Sequence, residues 1–178
     1  FQWWATRLRA SLALVDLARL DHFRGFAAAW EVPAGSPTAE KGKWVEGRGA
    51  ELLSRVVEVL GVLPLIAEDL GVITPDVESL REQFRLPGMK ILQFAFSGPD
   101  SPFLPHAHPR NCVVYTGTHD NDTTRGWYQT APETEKDFCR RYLKSDGKDI
   151  VWDLIRAAWA SPAGFALAPM QGLLDLGT

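Results

Sequence analysis

Short apolar runs alternate along the chain with longer stretches in which apolar residues recur every three or four positions. The short runs predict buried β-strands, and the longer stretches predict amphipathic α-helices. The predicted strands cover 17–21, 65–68, 89–96 and 113–120, with a strand or strand–helix junction over 165–174. The predicted helices cover 3–14, 52–60, 75–84, 132–143 and 147–160. This alternation is typical of an α/β fold with a parallel sheet.

Local sequence signals mark the ends of two of these helices. Gly61 is expected to stop the helix over 52–60, and Thr74 to cap the next helix with Pro75 in its first position. Between 25 and 49, Gly, Pro and Trp residues replace any clear periodicity, which predicts a long binding loop. In the helix over 147–160, the apolar stripe predicts inward side chains at Ile150, Val151, Leu154, Ile155 and Trp159.

The number of strands indicates which α/β architecture the chain adopts. About five strands are predicted, whereas a closed (β/α)8 TIM barrel needs eight strands and typically about 250 residues. We therefore expect a partial (β/α)8 barrel, approximately strands four to eight, with residues 1–178 forming a single partial catalytic domain. Its N-terminal strands and its C-terminal end would lie outside this sequence. A complete five-stranded doubly wound domain is the alternative.

Composition and charge restrict the class of partner. The 178 residues are 46% hydrophobic with a net charge of −3, which is typical of a globular domain with a real core. The chain has no basic run, which argues against nucleic acid or an anionic membrane as partner. No apolar stretch approaches the roughly 20 residues of a membrane-spanning helix. Cys112 and Cys139 lack metal-site spacing and predict reduced thiols in a cytoplasm.

Candidate chemistry lies at the ends of three predicted strands. Asp21, Glu68 and Asp120 each end an apolar run, where a carboxylate is costly unless it has a partner or a function. If the strands are parallel, these acids gather at their carboxyl edge, where barrel enzymes keep their active sites. Arg19 lies two residues before Asp21 and therefore on the same face. Its guanidinium would keep Asp21 ionised, as a nucleophilic carboxylate must be.

The neighbours of the other two acids predict different roles. Leu65 and Ile66 would surround Glu68 with apolar atoms and favour the protonated acid, which can donate a proton. His119 could donate a hydrogen bond to a sugar hydroxyl beside Asp120. Two carboxyl groups about 5 Å apart cleave glycosides with retention, and a third could stabilise the transition state. The same acids could instead hold a divalent metal for phosphoryl or enolate chemistry, or act as caps and salt-bridge partners.

An ordered series of unusual motifs narrows these alternatives. The motifs are RLDHFRGF (19–26), PTA (37–39), GKWV (42–45), IAEDLG (66–71), LPGMK (86–90), LQFAF (92–96) and TGTHDNDTT (116–124). Together they span nearly the whole chain and resemble amylomaltase, the 4-α-glucanotransferase or disproportionating enzyme of glycoside hydrolase family 77.

The resemblance implies an activity and a role for each acid. Asp21 would be the nucleophile, Glu68 the acid/base and Asp120 the transition-state stabiliser, at the ends of barrel strands four, five and seven. The implied reaction cleaves an α-1,4 bond, forms a covalent glucosyl-enzyme and transfers the glucan segment to another 4-hydroxyl. The implied substrates are malto-oligosaccharides and α-glucans derived from starch or glycogen, with glucose as an acceptor. No metal or organic cofactor is implied.

Substrate contacts are expected around these acids, and the chain also departs from the family pattern. The candidates for substrate binding are Arg19, His119, Trp30, Asp69 and Asn121. The family usually has Asn at position 107 and Asp at position 172, whereas this chain has Ala107 and Gly172. The alternative functions are an α-amylase-like hydrolase of α-glucans, or an inactive fragment or glucan-binding remnant. The isolated 178-residue piece is expected to be inactive.

Overall fold

The computed structural model describes residues 1–177, and its contacts divide the chain into a first unit, Phe1–Gly88, and a second unit that begins at Met89. The helices of the first unit are α1 (Gln2–Leu12), α2 (Arg24–Ala27), α3 (Gly49–Leu60) and α4 (Pro75–Gln83). Its strands are β1 (Ala18–Leu20), β2 (Ala28–Glu31), β3 (Lys43–Glu46) and β4 (Leu65–Ala67).

The first unit is built around the parallel pair β1–β4, which confirms the predicted strands at 17–21 and 65–68. The register pairs Ala18 with Leu65 and Leu20 with Ala67. Leu20, Leu65 and Ala67 are buried in one hydrophobic cluster with apolar residues of α1, α3 and α4. Each strand is short because its apolar run is short. Each ends where the next side chain carries a charge.

The sequence signals predicted to stop α3 and to start α4 can both be compared with the structure. Gly61 takes the left-handed conformation, with φ 79°, and its N–H donates to the Val57 carbonyl at 2.7 Å, so the predicted stop is confirmed. Thr74 occupies the N-cap position of α4 and Pro75 its first position, as predicted, although the Thr74 side chain makes no capping hydrogen bond. The Thr74 hydroxyl bonds instead to the Asp76 carboxylate in the first turn, which lowers the pKa of Asp76.

The predicted loop over 25–49 is wrong in part, because it contains the short helix α2 and an antiparallel hairpin. In this hairpin β2 pairs with β3, and Trp30 lies directly opposite Trp44. The two indole rings pack edge to face with centroids 5.6 Å apart. Cross-strand aromatic pairs of this kind stabilise a hairpin, whereas the strands are too short to produce a recognisable alternation in the sequence.

The second unit contains a three-stranded sheet with the order β5 (Gly88–Ile91), β6 (Cys112–Tyr115) and β7 (Phe165–Leu167). The strands β6 and β7 are parallel. The helices of this unit are α5 (Thr124–Thr130), α6 (Glu133–Leu143), α7 (Ile150–Ala160) and α8 (Met170–Leu173). The predicted strand–helix junction over 165–174 is therefore confirmed as β7 followed by α8. A second hydrophobic cluster joins Val114 of β6 to the inner face of α7.

Two predicted strands of this unit are too long. The strand predicted over 89–96 ends at Ile91 and continues as a 3-10 helix over Leu92–Ser97. The strand predicted over 113–120 ends at Tyr115, and the chain then turns. The side chain of Asn121 forms this turn, since its Oδ1 accepts hydrogen bonds from both the backbone N–H and the hydroxyl of Thr118, each at 2.9 Å. Such local bonds compete with strand pairing.

The inward face of α7 is predicted correctly except at its C-terminal end. Ile150, Val151, Leu154 and Ile155 are buried as predicted, whereas Trp159 is 57% exposed. Trp159 contacts Trp152 edge to face on a different side of the helix from Ala158, which is buried in the cluster in the same turn. In residues 1–177, no helix has both the length and the apolar character needed to cross a membrane.

His108 gives the second unit a specific sensitivity to acid. The side chain is only 5% exposed, and its Nε2 lies 2.8 Å from the Phe103 carbonyl. Burial lowers the pKa of His108 from the ordinary value of 6.5. A second proton would have to sit on Nδ1, a buried atom that has no hydrogen-bond partner. The neutral imidazole is therefore the form that the folded protein stabilises.

We expect this histidine to make the folded protein less stable as the pH falls. Its stabilising contribution is complete above the unfolded pKa near 6.5 and is lost as the pH falls towards the lower folded value. Between about pH 7.5 and about pH 5.5, the thermal midpoint should fall less in His108→Gln than in the wild type. The control is His119→Gln, at an exposed histidine that is not among the groups acting on His108, and it should follow the wild type. Equal slopes in all three proteins would contradict the assignment.

Candidate active site

The pairing of β1 with β4 brings Asp21 and Glu68 to the same edge of the first unit. Leu20 and Ala67 are the last partners in the parallel register. Asp21 and Glu68 follow them directly, and the Glu68 N–H still donates to the Leu20 carbonyl at 3.0 Å. The sequence prediction that these two acids leave parallel strands at a common carboxyl edge is therefore confirmed.

The Glu68 carboxylate is held by backbone N–H groups from both connections at this edge. Its Oε2 accepts from the His22 N–H at 2.8 Å, and its Oε1 accepts from the Leu70 N–H at 2.9 Å. The side chain is half-buried, so its surroundings are more polar than Leu65 and Ile66 alone had suggested. Two hydrogen bonds from the rigid main chain fix the direction in which the carboxylate points.

His22 is a residue of this site that the sequence analysis missed. It takes the left-handed conformation with φ 49°, which is uncommon for a residue other than glycine. The turn directs the His22 N–H to the Glu68 carboxylate, and the next N–H, that of Phe23, donates to the Glu68 carbonyl at 3.0 Å. The role belongs to the backbone, so the side chain at position 22 carries no sequence signal for it.

Asp21 has the cationic partner predicted for it. Its Oδ1 lies 2.7 Å from Nη2 of Arg19, two residues earlier on the same face. The Asp21 side chain is 76% exposed and that of Arg19 is 26% exposed. A half-buried guanidinium therefore lies behind a carboxylate that faces solvent, which leaves Asp21 oriented and accessible.

Asp69 and Trp30, both predicted to bind substrate, are engaged with other parts of the first unit. The Asp69 Oδ2 lies 3.2 Å from the Arg81 Nε, and both side chains are about 15% exposed. A Cβ atom at Gly88 would lie 2.2 Å from the same carboxylate oxygen, so the backbone there must be glycine. The Trp30 indole N–H donates to the Ala39 carbonyl at 2.8 Å, which ties the hairpin loop to β2.

Asp120, His119 and Asn121 lie in the second unit, in the connection between β6 and α5. His119 and Asp120 are both exposed, and the His119 Nε2 lies 3.4 Å from the Asp120 Oδ1. His119 and Asn121 line a cleft of about 300 Å³. Its other walls come from the segment 122–124, Gln93, Gly117 and the α8 region at Pro169, Gln171 and Gly172. Of the two departures from the family pattern, Gly172 therefore lies in this cleft.

An ion pair joins two walls of this cleft. Arg125, in the first turn of α5, binds the Asp175 carboxylate with two nitrogen atoms, and its Nε lies 2.8 Å from Oδ1. The Asp175 N–H donates to the Gly172 carbonyl at 3.0 Å, and the Leu176 N–H donates to the Gln171 carbonyl at 2.8 Å. Arg125 thereby holds the α8 wall against α5.

We expect Asp175→Asn to loosen this wall locally. An exposed but bidentate ion pair contributes about 0.5 to 1 kcal/mol, so the Leu176 amide should exchange with solvent about two- to fivefold faster. Hydrogen exchange followed by mass spectrometry measures this change. Asp146→Asn, which removes the ion pair with Lys148, should leave the Leu176 amide unchanged. An unaltered exchange rate in Asp175→Asn would show that the ion pair does not hold the wall.

In residues 1–177, no group of three or more His, Cys, Asp or Glu side chains is arranged to hold a metal ion. At the edge of β1 and β4, the Asp21 carboxylate pairs with Arg19, and the Glu68 carboxylate accepts a hydrogen bond from the His22 N–H. This arrangement suits acid–base and nucleophilic chemistry.

Comparison with known proteins identifies relatives of the whole chain. A family described as 4-alpha-glucanotransferase, glycoside hydrolase family 77, matches residues 1–178. The chain is 51% identical to the 4-alpha-glucanotransferase of Thermus thermophilus over 187 aligned positions, which cover 100% of this chain and 37% of the relative. It is 48% identical to the chloroplastic/amyloplastic 4-alpha-glucanotransferase of Arabidopsis thaliana, covering 100% of this chain and 31% of that protein.

A solved structure with the same fold is also known. The amylomaltase from Streptococcus agalactiae, solved in complex with acarbose, superimposes with a TM-score of 0.93 at 34% identity. The match covers 99% of this chain and 36% of the amylomaltase, so the chain spans about a third of the length of its relatives. Since the family match extends over every residue, the chain belongs to the 4-alpha-glucanotransferase family, glycoside hydrolase family 77.

Proposed function

We propose that this chain carries the catalytic acids of an α-1,4-glucan transferase that works with retention through a covalent glucosyl–Asp intermediate. The observation that supports this most directly is the register of β1 and β4, which puts Asp21 beside Glu68. Neighbouring strands lie about 4.8 Å apart. Carboxyl groups about 5 to 5.5 Å apart are typical of retaining glycosidases.

In the first step Asp21 is the nucleophile and Glu68 is the acid. A carboxylate oxygen of Asp21 attacks the anomeric carbon of the donor sugar while the bond from that carbon to the glycosidic oxygen breaks. Glu68 gives its proton to the departing oxygen, which becomes the 4-hydroxyl of the released fragment. The Arg19 guanidinium, 2.7 Å from Asp21, orients the nucleophile.

In the second step the roles of acid and base reverse. The 4-hydroxyl of an acceptor glucan attacks the same anomeric carbon and gives its proton to Glu68, and the ester bond to Asp21 breaks. Asp120 is the proposed stabiliser of the positive charge that develops on the sugar in both transition states.

We extend the proposal to the fold and the substrates. The parallel pairs β1–β4 and β6–β7 support a partial (β/α)8 barrel, approximately strands four to eight. Malto-oligosaccharides and longer α-glucans from starch or glycogen are the proposed substrates, with glucose as an acceptor. His119 and Asn121 line the cleft that would contact them. Both cysteines are buried thiols, which fits a reducing compartment such as a cytoplasm.

Incubation of the full-length protein with maltotriose tests the proposed reaction. Transfer yields glucose together with maltopentaose and longer products, and the total number of reducing ends stays constant. An α-amylase-like hydrolase would instead increase the number of reducing ends without forming longer products. Chromatography of the products together with a reducing-end assay separates the two reactions, and hydrolysis alone would overturn the proposal.

A further inference from the structure

The first unit contains a second concave surface, formed outside the β1–β4 edge. It has a volume of about 530 Å³ and lies between the hairpin, the first turn of α3 and one face of α4 along its length. We call it the hairpin groove and define it by Trp44, Glu46, Ala50, Asp76, Ser79 and Gln83. The groove belongs to the connection that begins at Asp21, because α2 and the hairpin follow that residue directly.

Trp44 provides the groove with an exposed and fixed aromatic surface. The Arg24 guanidinium lies 4.5 Å from the centroid of the Trp44 ring, and Trp30 contacts the same ring edge to face. These neighbours fix the orientation of the indole, yet 55% of the residue is exposed to solvent. An exposed, oriented indole is a stacking surface for the apolar face of a sugar ring, because both have an apolar plane and a polar edge.

The floor of the groove is apolar and closely packed. Ala27, Ala28 and Ala50 lie along it. A Cβ atom at Gly47 would lie 2.5 Å from the Phe26 carbonyl oxygen, and one at Gly49 would lie 2.4 Å from it. The two glycines therefore let the end of β3 and the start of α3 pack directly on α2. This packing gives the groove a rigid base of small residues.

The rim of the groove is polar, and a neighbouring cation is the Arg24 guanidinium that lies over the Trp44 ring. Glu46 and Asp76 supply carboxylates, and Ser79 and Gln83 supply a hydroxyl and an amide. The Thr74 hydroxyl bonds to the Asp76 carboxylate and lowers the pKa of Asp76, so this carboxylate accepts hydrogen bonds at neutral pH. Among the lining residues, all in the described part of the chain, there is no Lys or Arg. The two carboxylates outnumber this cation, and together with the hydroxyl and amide they suit a neutral ligand rich in hydroxyl donors.

We propose that the hairpin groove is a second α-glucan-binding site, in which Trp44 stacks on a glucosyl unit and Glu46, Asp76 and Gln83 bind its hydroxyl groups. The inference rests on the proposed function, which supplies the class of ligand. The volume of the hairpin groove suits one or two glucosyl units. A long glucan held there would stay near the enzyme between transfer cycles, whereas a trisaccharide bound at the catalytic acids would have no need of it.

Affinity electrophoresis of the full-length protein in gels that contain glycogen tests the site. Trp44→Ala removes the stacking surface, and Ser79→Arg fills the groove from α4 without altering the hairpin. Each variant should weaken glycogen binding about tenfold, the size expected for losing one aromatic contact. The matched controls are Ser54→Arg, at an exposed serine of α3 outside the groove, and Trp159→Ala, at a tryptophan that is 57% exposed. Both controls should bind glycogen like the wild type.

Maltotriose transfer, measured on the same proteins, separates this inference from the proposed function. We expect Trp44→Ala and Ser79→Arg to transfer maltotriose at the wild-type rate. If the wild type fails to transfer maltotriose, the proposed function is wrong, while glycogen retention still reports on the groove. If Ser79→Arg binds glycogen like Ser54→Arg, the groove is not a glucan site, whatever the effect of Trp44→Ala.

Discussion

Replacing Asp21 by Asn should reduce maltotriose transfer by the full-length protein to below about a hundredth of the wild-type rate. Asparagine has nearly the same size and can still lie near Arg19, but its neutral amide cannot form the glycosyl ester. The loss should therefore appear in kcat, with little change in the thermal midpoint, because the Asp21 side chain is 76% exposed and supports no core. Initial rates of glucose release from maltotriose provide the measurement.

A matched variant separates loss of the nucleophile from loss of a surface charge. Asp16 is an exposed acid just before β1, and Asp16→Asn should retain the wild-type rate. Intact-mass analysis of Asp21→Asn should accompany the assay, because deamidation of the new asparagine would regenerate the aspartate. If Asp21→Asn protein whose mass excludes deamidation transfers from maltotriose at more than about a hundredth of the wild-type rate, the nucleophile is another residue.

Replacing Glu68 by Gln should produce a different defect, because Glu68 acts on the proton and not on the anomeric carbon. Transfer from maltotriose should fall about 10²- to 10⁴-fold, since neither the leaving oxygen nor the acceptor can exchange a proton. With α-maltotriosyl fluoride the first step should survive, because fluoride leaves without protonation. The glycosyl group should then accumulate on Asp21, since deglycosylation still needs the missing base.

Mass spectrometry of the intact protein detects this adduct, and peptide mapping locates it. Glu78→Gln, at an exposed acid of α4, is the control and should show wild-type transfer and no adduct. The double variant Asp21→Asn with Glu68→Gln should form no adduct with the fluoride. An adduct on another residue, or equal loss of activity with both donors, would contradict the division of roles between the two acids.

Most of the helices and strands, and the positions of the candidate acids, follow from the sequence alone. Apolar runs ending in Asp21 and Glu68 predicted two strands whose cores the structure confirms, because burying such runs is strongly favourable wherever they occur. The spacing of Arg19 and Asp21 predicted an ion pair, since side chains two residues apart on a strand share a face. The helical stripe of α7 predicted four of its five proposed inward residues, and it failed at Trp159, which packs on Trp152 while its neighbour Ala158 faces the core.

Other features depend on contacts between distant residues and were not predictable in this way. The hairpin forms because Trp30 and Trp44 meet across two strands, a contact that no local periodicity reveals. The strand before Asp120 ends at Tyr115 because the Asn121 side chain binds Thr118 and turns the chain, although the residues between are compatible with a strand. The orientation of Glu68 depends on the N–H of His22, a group that every residue but proline possesses.

The sequence by itself therefore determined the alternation of strands and helices, the positions of the candidate acids and the family. These depend on side-chain chemistry and spacing, which the order of residues contains directly. Only the tertiary structure decided that β1 and β4 are neighbours in parallel register, that two main-chain N–H groups hold Glu68, and that a groove opens beside the hairpin. Such features depend on which segments meet in space, and many pairings of short apolar strands would bury a similar apolar area.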